Sequence, residues 1–207
     1  MRAETDSAIN SGFLTRIRNI LATPRGEWER IGDESTPPAS LYLHYVLPLA
    51  AIGPVASLAG LWAIGVSLGN LGRFHMPFER VFVYAIVAYL LALVGVYVLG
   101  LVIDALAPGF GGEKNFTQAF KMAVYSSVPA WLGGIFHLLP GMAFIGGLCG
   151  LYGLYLLYRG LPVLMKVPRE RTLPCTAVIV LAAIAIYILI GIVASAITFG
   201  GHIMLYG

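Results

Sequence analysis

A single carboxylate inside an apolar segment is the feature of this sequence most suggestive of chemistry. Asp104 lies near the end of an apolar run that extends from about Val81 to Ala107. A charged side chain within hydrocarbon is costly, so it is usually paired or functional. Lys121 and Arg159 are expected at the same depth, near the inner face of a membrane. We therefore predict an ion pair between Asp104 and one of them that locks helices together, with a proton or ion relay and lipid-headgroup binding as alternatives.

Three histidines are expected near the outer face of the membrane. They are His75, His137 and His202, and imidazole is a ligand for zinc or copper. No HxxxH or HxH spacing supports a preformed site, so a metal site remains only an alternative hypothesis. No nucleophile–base pair is recognisable either. The sequence therefore predicts a protein that is not an enzyme and needs no cofactor.

Four basic residues near the expected inner face are candidates for contacts with lipid headgroups. They are Arg16, Arg18, Lys114 and Lys166. Lys114 follows a glycine-rich stretch, but the GxxxxGK[ST] spacing of a phosphate-binding loop is absent. The net charge of +3 is spread over short segments beside apolar runs. This pattern indicates topology signals and lipid contacts, and no nucleic-acid partner is expected.

Gly146 and Gly150 form a GxxxG pair in another apolar run. Small residues at this spacing let two helix backbones approach closely in lipid. We expect the pair to pack helices within one chain, with formation of a homo-oligomer as the alternative.

The elements that carry these residues are predicted to be membrane-spanning helices. The chain has 207 residues, of which 58% are hydrophobic and only 11% charged, whereas a soluble domain usually has about 25% charge. Five apolar segments approach or exceed the roughly 20 residues that a span needs. They run from about Leu41 to Leu68, Val81 to Ala107, Met122 to Leu139, Met142 to Met165 and Cys175 to Phe199. Pro48 and Pro54 predict a kink in the first, and Pro129 lies inside the third.

The polar segment before these spans contains an amphipathic helix. Apolar residues recur at helical spacing between Ile9 and Leu21, with Arg16 and Arg18 on the other face. We expect this helix to lie along the membrane surface; the alternative is that it packs on the protein's own cytoplasmic face. Thr23 is expected to cap a second helix that Pro24 opens.

The distribution of basic residues predicts the orientation. Eleven Lys and Arg residues fall on the side of the N-terminus and only Arg73 and Arg80 on the other. The positive-inside rule then places the N-terminus in the cytoplasm and, after five crossings, the C-terminus outside. We divide the chain into a cytoplasmic segment (1–39), a transmembrane domain (40–200) and a short external tail (201–207).

The order of several short motifs resembles the Yip family of small polytopic membrane proteins, in its bacterial branch. These motifs are Pro24, Trp28 and Ile31 in PRGEWERI, Tyr125 and Pro129 in YSSVPAW, the hairpin Pro140, and LYGLYLLYRGL from Leu151 to Leu161. The resemblance covers nearly the whole chain and implies a five-helix bundle with a cytoplasmic N-terminus. Eukaryotic members are linked to small GTPases and vesicle traffic, but their acidic, tyrosine-containing N-terminal motif is absent here, so that partner does not carry over.

The sequence therefore favours an all-α, non-enzymatic protein of the bacterial inner membrane that organises or binds membrane lipids or other membrane proteins. The competing hypothesis is a small transporter or channel whose working parts are Asp104 and the helices broken by proline.

Overall fold

A computed structural model describes residues 2–67, 73–74 and 77–199. Within these residues nearly all of the chain is helical, and two short strands, β1 (Val66–Ser67) and β2 (Arg73–Phe74), form one antiparallel pair. The main helices are α1 (Arg2–Ala22), α2 (Pro24–Asp33), α3 (Pro38–Ala63), α4 (Phe78–Leu106), α5 (Phe116–Gly133), α6 (Ala143–Leu164) and α7 (Arg169–Phe199). Short 3₁₀ turns follow α4 (Ala107–Phe110) and join α5 to α6 (Gly134–Leu138 and Pro140–Met142).

The predicted membrane bundle is confirmed, because four of the described helices are long and apolar enough to cross a membrane. These helices are α3, α4, α6 and α7, and each matches one predicted span. The remaining predicted span corresponds to α5, which begins at Phe116 rather than near Met122 and ends at Gly133. Its 18 residues extend over about 27 Å, close to the thickness of the hydrocarbon layer.

Helix α5 is the central element of the bundle. Every residue from Ala119 to Pro129 is buried by the surrounding helices. A helix that faces protein on all sides does not need an apolar surface for lipid. This position explains why α5 carries Lys121, Ser126 and Ser127 and is less apolar than the helices around it. Asn115 starts the helix, since its side chain accepts a hydrogen bond from the Gln118 amide at 3.2 Å.

Helix α3 is interrupted near both of its prolines. Pro48 and Pro54 have no backbone N–H to donate to the carbonyl four residues earlier. Accordingly, a π-helical segment at Tyr42–Val46 precedes Pro48, and the α-helix is interrupted at Ala51, just before Pro54.

Helices α1 and α2 cover one end of the bundle, which we call the capped end; the opposite end is the far end. The apolar side of α1 packs on the protein, where Ile20 is fully buried and Phe13, Ile17 and Leu21 lie against the core. These contacts favour the alternative in which α1 packs on the protein itself, and placement along the membrane surface stays a prediction. The apolar side of α1 contacts side chains of the bundle. For example, the centroid of the Phe13 ring lies 5.0 Å from that of the Tyr45 ring on α3.

Candidate functional site

Several motif residues that carry the family resemblance meet at the capped end. Trp28 on α2 is fully buried and packs edge-on against Tyr125 of α5, with ring centroids 6.3 Å apart. Gly160 of α6 lies below the indole, and a Cβ at this position would be 3.1 Å from the Trp28 ring. Ile31, one turn after Trp28, is also fully buried. Three segments that are distant in sequence therefore form one tightly packed contact.

Arg16 links the two N-terminal helices instead of facing lipid. Its guanidinium lies 3.1 Å from Glu27 and also pairs with Glu34, and it sits over the Tyr125 ring at 6.0 Å. Burial acts to lower the pKa of Arg16, but the hydrogen bond to Glu34 and the neighbouring acidic groups outweigh burial, so its pKa is raised. The positive charge of Arg16, which the sequence predicts to contact lipid headgroups, is paired with Glu27 and Glu34. Arg18, two residues later, is exposed.

Lys121 holds the end of α2. It is almost fully buried, and its Nζ donates hydrogen bonds to the carbonyl of Ile31, at 2.8 Å, and to the carbonyl of Glu34. These carbonyls lie at the C-terminus of α2, where the helix dipole is negative and backbone acceptors are left without helical partners. Gln118 supports the same end by donating to the Gly32 carbonyl at 2.9 Å.

The predicted ion pair of Asp104 with Lys121 or Arg159 is not formed in the described part of the chain. Lys121 is engaged with α2, while Arg159 lies over the Tyr155 ring of its own helix at 5.9 Å. Asp104 is buried, with 8% of its surface exposed, and its Oδ1 has no hydrogen-bond partner among the described residues. The sequence placed the three residues at a similar depth, but it could not show that their helices turn them toward different neighbours.

The other headgroup candidates remain at the surface. Lys114 is exposed, and Lys166 pairs with Glu113 at 2.9 Å with both side chains mostly in solvent. A surface pair of this kind contributes little to stability. These two lysines are thus sterically accessible to an anionic surface.

Gly146 and Gly150 contact α5 of the same chain. A Cβ at Gly146 would be 2.9 Å from the Gly133 carbonyl, and one at Gly150 would touch Ala130. Gly153 continues this contact, because a Cβ there would be only 2.4 Å from the Ser126 carbonyl. The small residues of α6 therefore serve close packing inside the bundle.

Of the three histidines proposed as metal ligands, only His137 belongs to the described residues. Its ring lies between α3 and α6, near Gly53 and Gly146. His75 and His202 lie outside the described residues. Among the residues that the structure does describe, no group of three or more metal-binding side chains is found.

A cavity of about 500 Å³ lies between α3, α4, α5, α6 and α7. This volume falls within the range of about 300–1,000 Å³ that is typical of ligand sites. Its walls are mostly small or aliphatic side chains, and none of the described residues that line it is charged. Polar contributions come from serine, tyrosine and His137.

The cavity was not anticipated from the sequence. Ala88 and Ala92, one turn apart on α4, are a signal in retrospect, since both line it and both leave space where larger residues would fill it. From the sequence alone, small residues that line a cavity cannot be distinguished from small residues that serve helix packing.

The cavity opens sideways between α6 and α7. Over residues 169–193, the buried residues of α7 are Thr172, Cys175, Thr176 and Ile179, all in its first half. Farther along, Leu151 of α6 and Tyr187 of α7 line the cavity and are nonetheless 60% and 55% exposed. The wall that α6 and α7 contribute to the cavity is therefore open at these two residues.

Comparison with known proteins gives a consistent picture. The model of the Yip1 domain matches residues 18–194. The chain is 26% identical over 163 residues to proteins described as "Inner membrane protein YohC" from Escherichia coli strain K12 and from Escherichia coli O6:H1, covering 77% of this chain and 84% of each relative. No solved structure matches.

Proposed function

Because this chain belongs to the Yip1 domain family, we propose that it acts as a non-enzymatic, multi-pass protein of the inner membrane that binds another membrane component within its helix bundle. The cavity between α3 and α7 is the proposed binding site. Its lining comes from α3, α4, α6 and α7, the helices long and apolar enough to cross a membrane, and from α5. Two of the lining residues, Leu151 and Tyr187, are exposed where lipid would surround the bundle.

The absence of charge among the residues that line the cavity carries this proposal. A site that handles ions or charged solutes at membrane depth needs charged or strongly polar groups to replace water. A mostly apolar wall with a few polar groups instead suits a partner that is itself dissolved in the membrane.

The experiment compares two variants of α4. Ala92→Phe fills the cavity, whereas Val94→Phe adds the same ring on a side of α4 that is 56% exposed. Native mass spectrometry of the protein released from detergent should show a bound component in the wild type and in Val94→Phe, and should not show it in Ala92→Phe. Ala88→Phe provides a second filling variant. Equal binding by all the variants, or binding by none, would refute the proposed site.

We also propose that the capped end is cytoplasmic, because most of the basic residues fall on the side of the membrane that holds the N-terminus. A phosphatase fused after Gly207 should then be active, because this enzyme works only outside the cytoplasm. Activity of a cytoplasmic reporter at the same position would overturn the orientation.

A transport function is the second candidate, and it is favoured by the buried Oδ1 of Asp104, which has no hydrogen-bond partner among the described residues. Asp104 does not belong to the residues that line the cavity. Transport through the cavity would therefore need a conformational change that brings the two together. Proton or cation flux into liposomes that contain the purified protein, and its loss in Asp104→Asn, would establish this function in place of the first.

A further inference from the structure

The cavity has a polar end. Ser57 of α3, Tyr84 of α4 and His137 line it in the half nearer the far end of the bundle. The side chains of these three residues form no hydrogen bond within the described part of the chain, although each is only half-buried and accessible from the cavity. Polar groups at membrane depth normally find partners, because an unsatisfied group is costly in hydrocarbon. These three are therefore available to a ligand.

The deeper serines behave differently. Ser126 and Ser127 also line the cavity, but their hydroxyl groups donate to the Ala123 carbonyl of their own helix at 3.3 and 2.7 Å. Their hydroxyl donors are thus used within α5, and none is left for an acceptor on a ligand. The difference sets the polar end of the cavity apart from the rest of its wall.

The opposite half of the cavity is apolar. Leu99 of α4, Leu157 of α6 and Val180 of α7 form its wall toward the capped end. Leu99 and Leu157 are buried and belong to the main core. This half offers shape and contact area to a hydrocarbon group but no hydrogen bond.

We propose that the occupant is a membrane lipid from the leaflet at the far end, with one acyl chain in the cavity; this inference rests on the proposed function. The chain lies toward Leu99, Leu157 and Val180, and the ester and glycerol oxygens meet Ser57, Tyr84 and His137. The lipid enters through the lateral opening between α6 and α7, where Leu151 and Tyr187 are exposed.

The polar end of the cavity determines in which orientation the lipid binds. An acyl chain is surrounded by hydrocarbon both in the bilayer and in the cavity, so moving it between them yields little free energy. Selectivity must come from the hydrogen bonds and from the shape of the cavity. Each hydrogen bond should contribute about a 2- to 10-fold preference.

The test uses vesicles of phosphatidylethanolamine and phosphatidylglycerol that contain a phosphatidylethanolamine with a photoactivatable diazirine near the end of one acyl chain. After illumination, peptides that contain Leu99, Leu157 or Val180 should carry the label in the wild type and in Val94→Phe. The label should be lost in Ala92→Phe. His137→Phe should reduce it about 2- to 10-fold, and His137→Gln, which keeps a hydrogen-bonding side chain, should restore most of it.

Labelling confined to lipid-facing residues such as Leu90 and Ile188, and unchanged by Ala92→Phe, would overturn the lipid assignment. The outcome for the proposed function is separate. If native mass spectrometry still shows a component that Ala92→Phe removes, the cavity is a binding site for something other than a lipid chain. If it shows none, both proposals fail.

Discussion

The two ends of the bundle use polar residues in opposite ways. At the capped end, Arg16 and Lys121 are engaged with acidic side chains or backbone carbonyls, and they join α1 and α2 to α5. Toward the far end, Ser57, Tyr84 and His137 surround open space and have no partner within the described residues. The first arrangement fixes one packing of the helices, whereas the second leaves hydrogen-bonding capacity for another molecule.

We therefore expect substitutions at the two ends to have different effects. Changes at the capped end should alter stability, because they remove contacts within the protein. Changes at the cavity should alter binding and leave the fold in place.

Trp28→Ala should loosen the capped end most. Removing a large buried aromatic side chain costs about 3–5 kcal/mol, and the indole fills the space between Tyr125 and Gly160. Limited proteolysis of the detergent-solubilised protein should show faster cleavage in residues 12–37. Leu14→Ala is the control on α1, because Leu14 is 69% exposed, and it should behave like the wild type. Unchanged cleavage in Trp28→Ala would mean that the packing of α2 is not what holds the cap.

Arg16→Gln and Arg18→Gln form a matched pair on one helix. Arg16→Gln leaves the buried Glu27 with only a longer contact to Arg30, at 3.8 Å, and breaking a buried pair costs about 3–5 kcal/mol. Since Arg16 retains 20% side-chain exposure, we expect a smaller cost of about 2–3 kcal/mol. Arg18→Gln should change stability by less than about 0.5 kcal/mol. Thermal unfolding followed by circular dichroism distinguishes the two, and equal effects would contradict the role of Arg16 as an internal link.

Lys121→Met should detach the C-terminus of α2. Methionine retains the apolar stem but leaves the carbonyls of Ile31 and Glu34 without their donor. A buried acceptor left unsatisfied costs about 1–3 kcal/mol. Hydrogen exchange of amides in residues 30–36 should accelerate, while the exposed Lys114→Met should leave it unchanged. Slow exchange in both variants would show that Gln118 alone secures this helix end.

Asp104→Asn should have the smallest effect and the opposite sign. Its buried carboxylate has no charged partner in residues 2–67, 73–74 and 77–199. Replacing it with a neutral amide of similar size should raise stability by about 0–2 kcal/mol. The measurement is thermal unfolding at neutral pH. A loss of more than about 1 kcal/mol would reveal that the carboxylate interacts with a group that stabilises the fold.

Much of the architecture could be predicted from the sequence. Uninterrupted apolar runs placed α3, α4, α6 and α7, and Pro48 with Pro54 located the interruptions of α3. Both signals are local, because hydropathy and the missing proline N–H act on the helix that contains them.

The arrangement between helices could not be read in the same way. The sequence predicts lipid contacts for Arg16 and an ion pair with Asp104 for Lys121, because it gives the depth and helical face of a residue but not the neighbour that covers that face. Thr23 shows the same limit on a smaller scale: it precedes Pro24 as expected, but its hydroxyl donates to the Asn19 carbonyl of the preceding helix and does not cap α2. The cavity depends on how five helices meet, so no single stretch of sequence encodes it.

The central position of α5 has a consequence for the order in which the chain is assembled. Insertion into a bilayer during synthesis depends on the hydrophobicity of each segment as it emerges, and a lysine with two serines weakens that signal. We expect α5 to integrate poorly when it is followed by a polar sequence, and to integrate efficiently only when α6 is present to enter with it as a hairpin. The tight contacts of Gly146, Gly150 and Gly153 with α5 would then form during biogenesis, before α7 is made. Truncating the chain after α5, or after α6, and measuring the integrated fraction would separate these two stages.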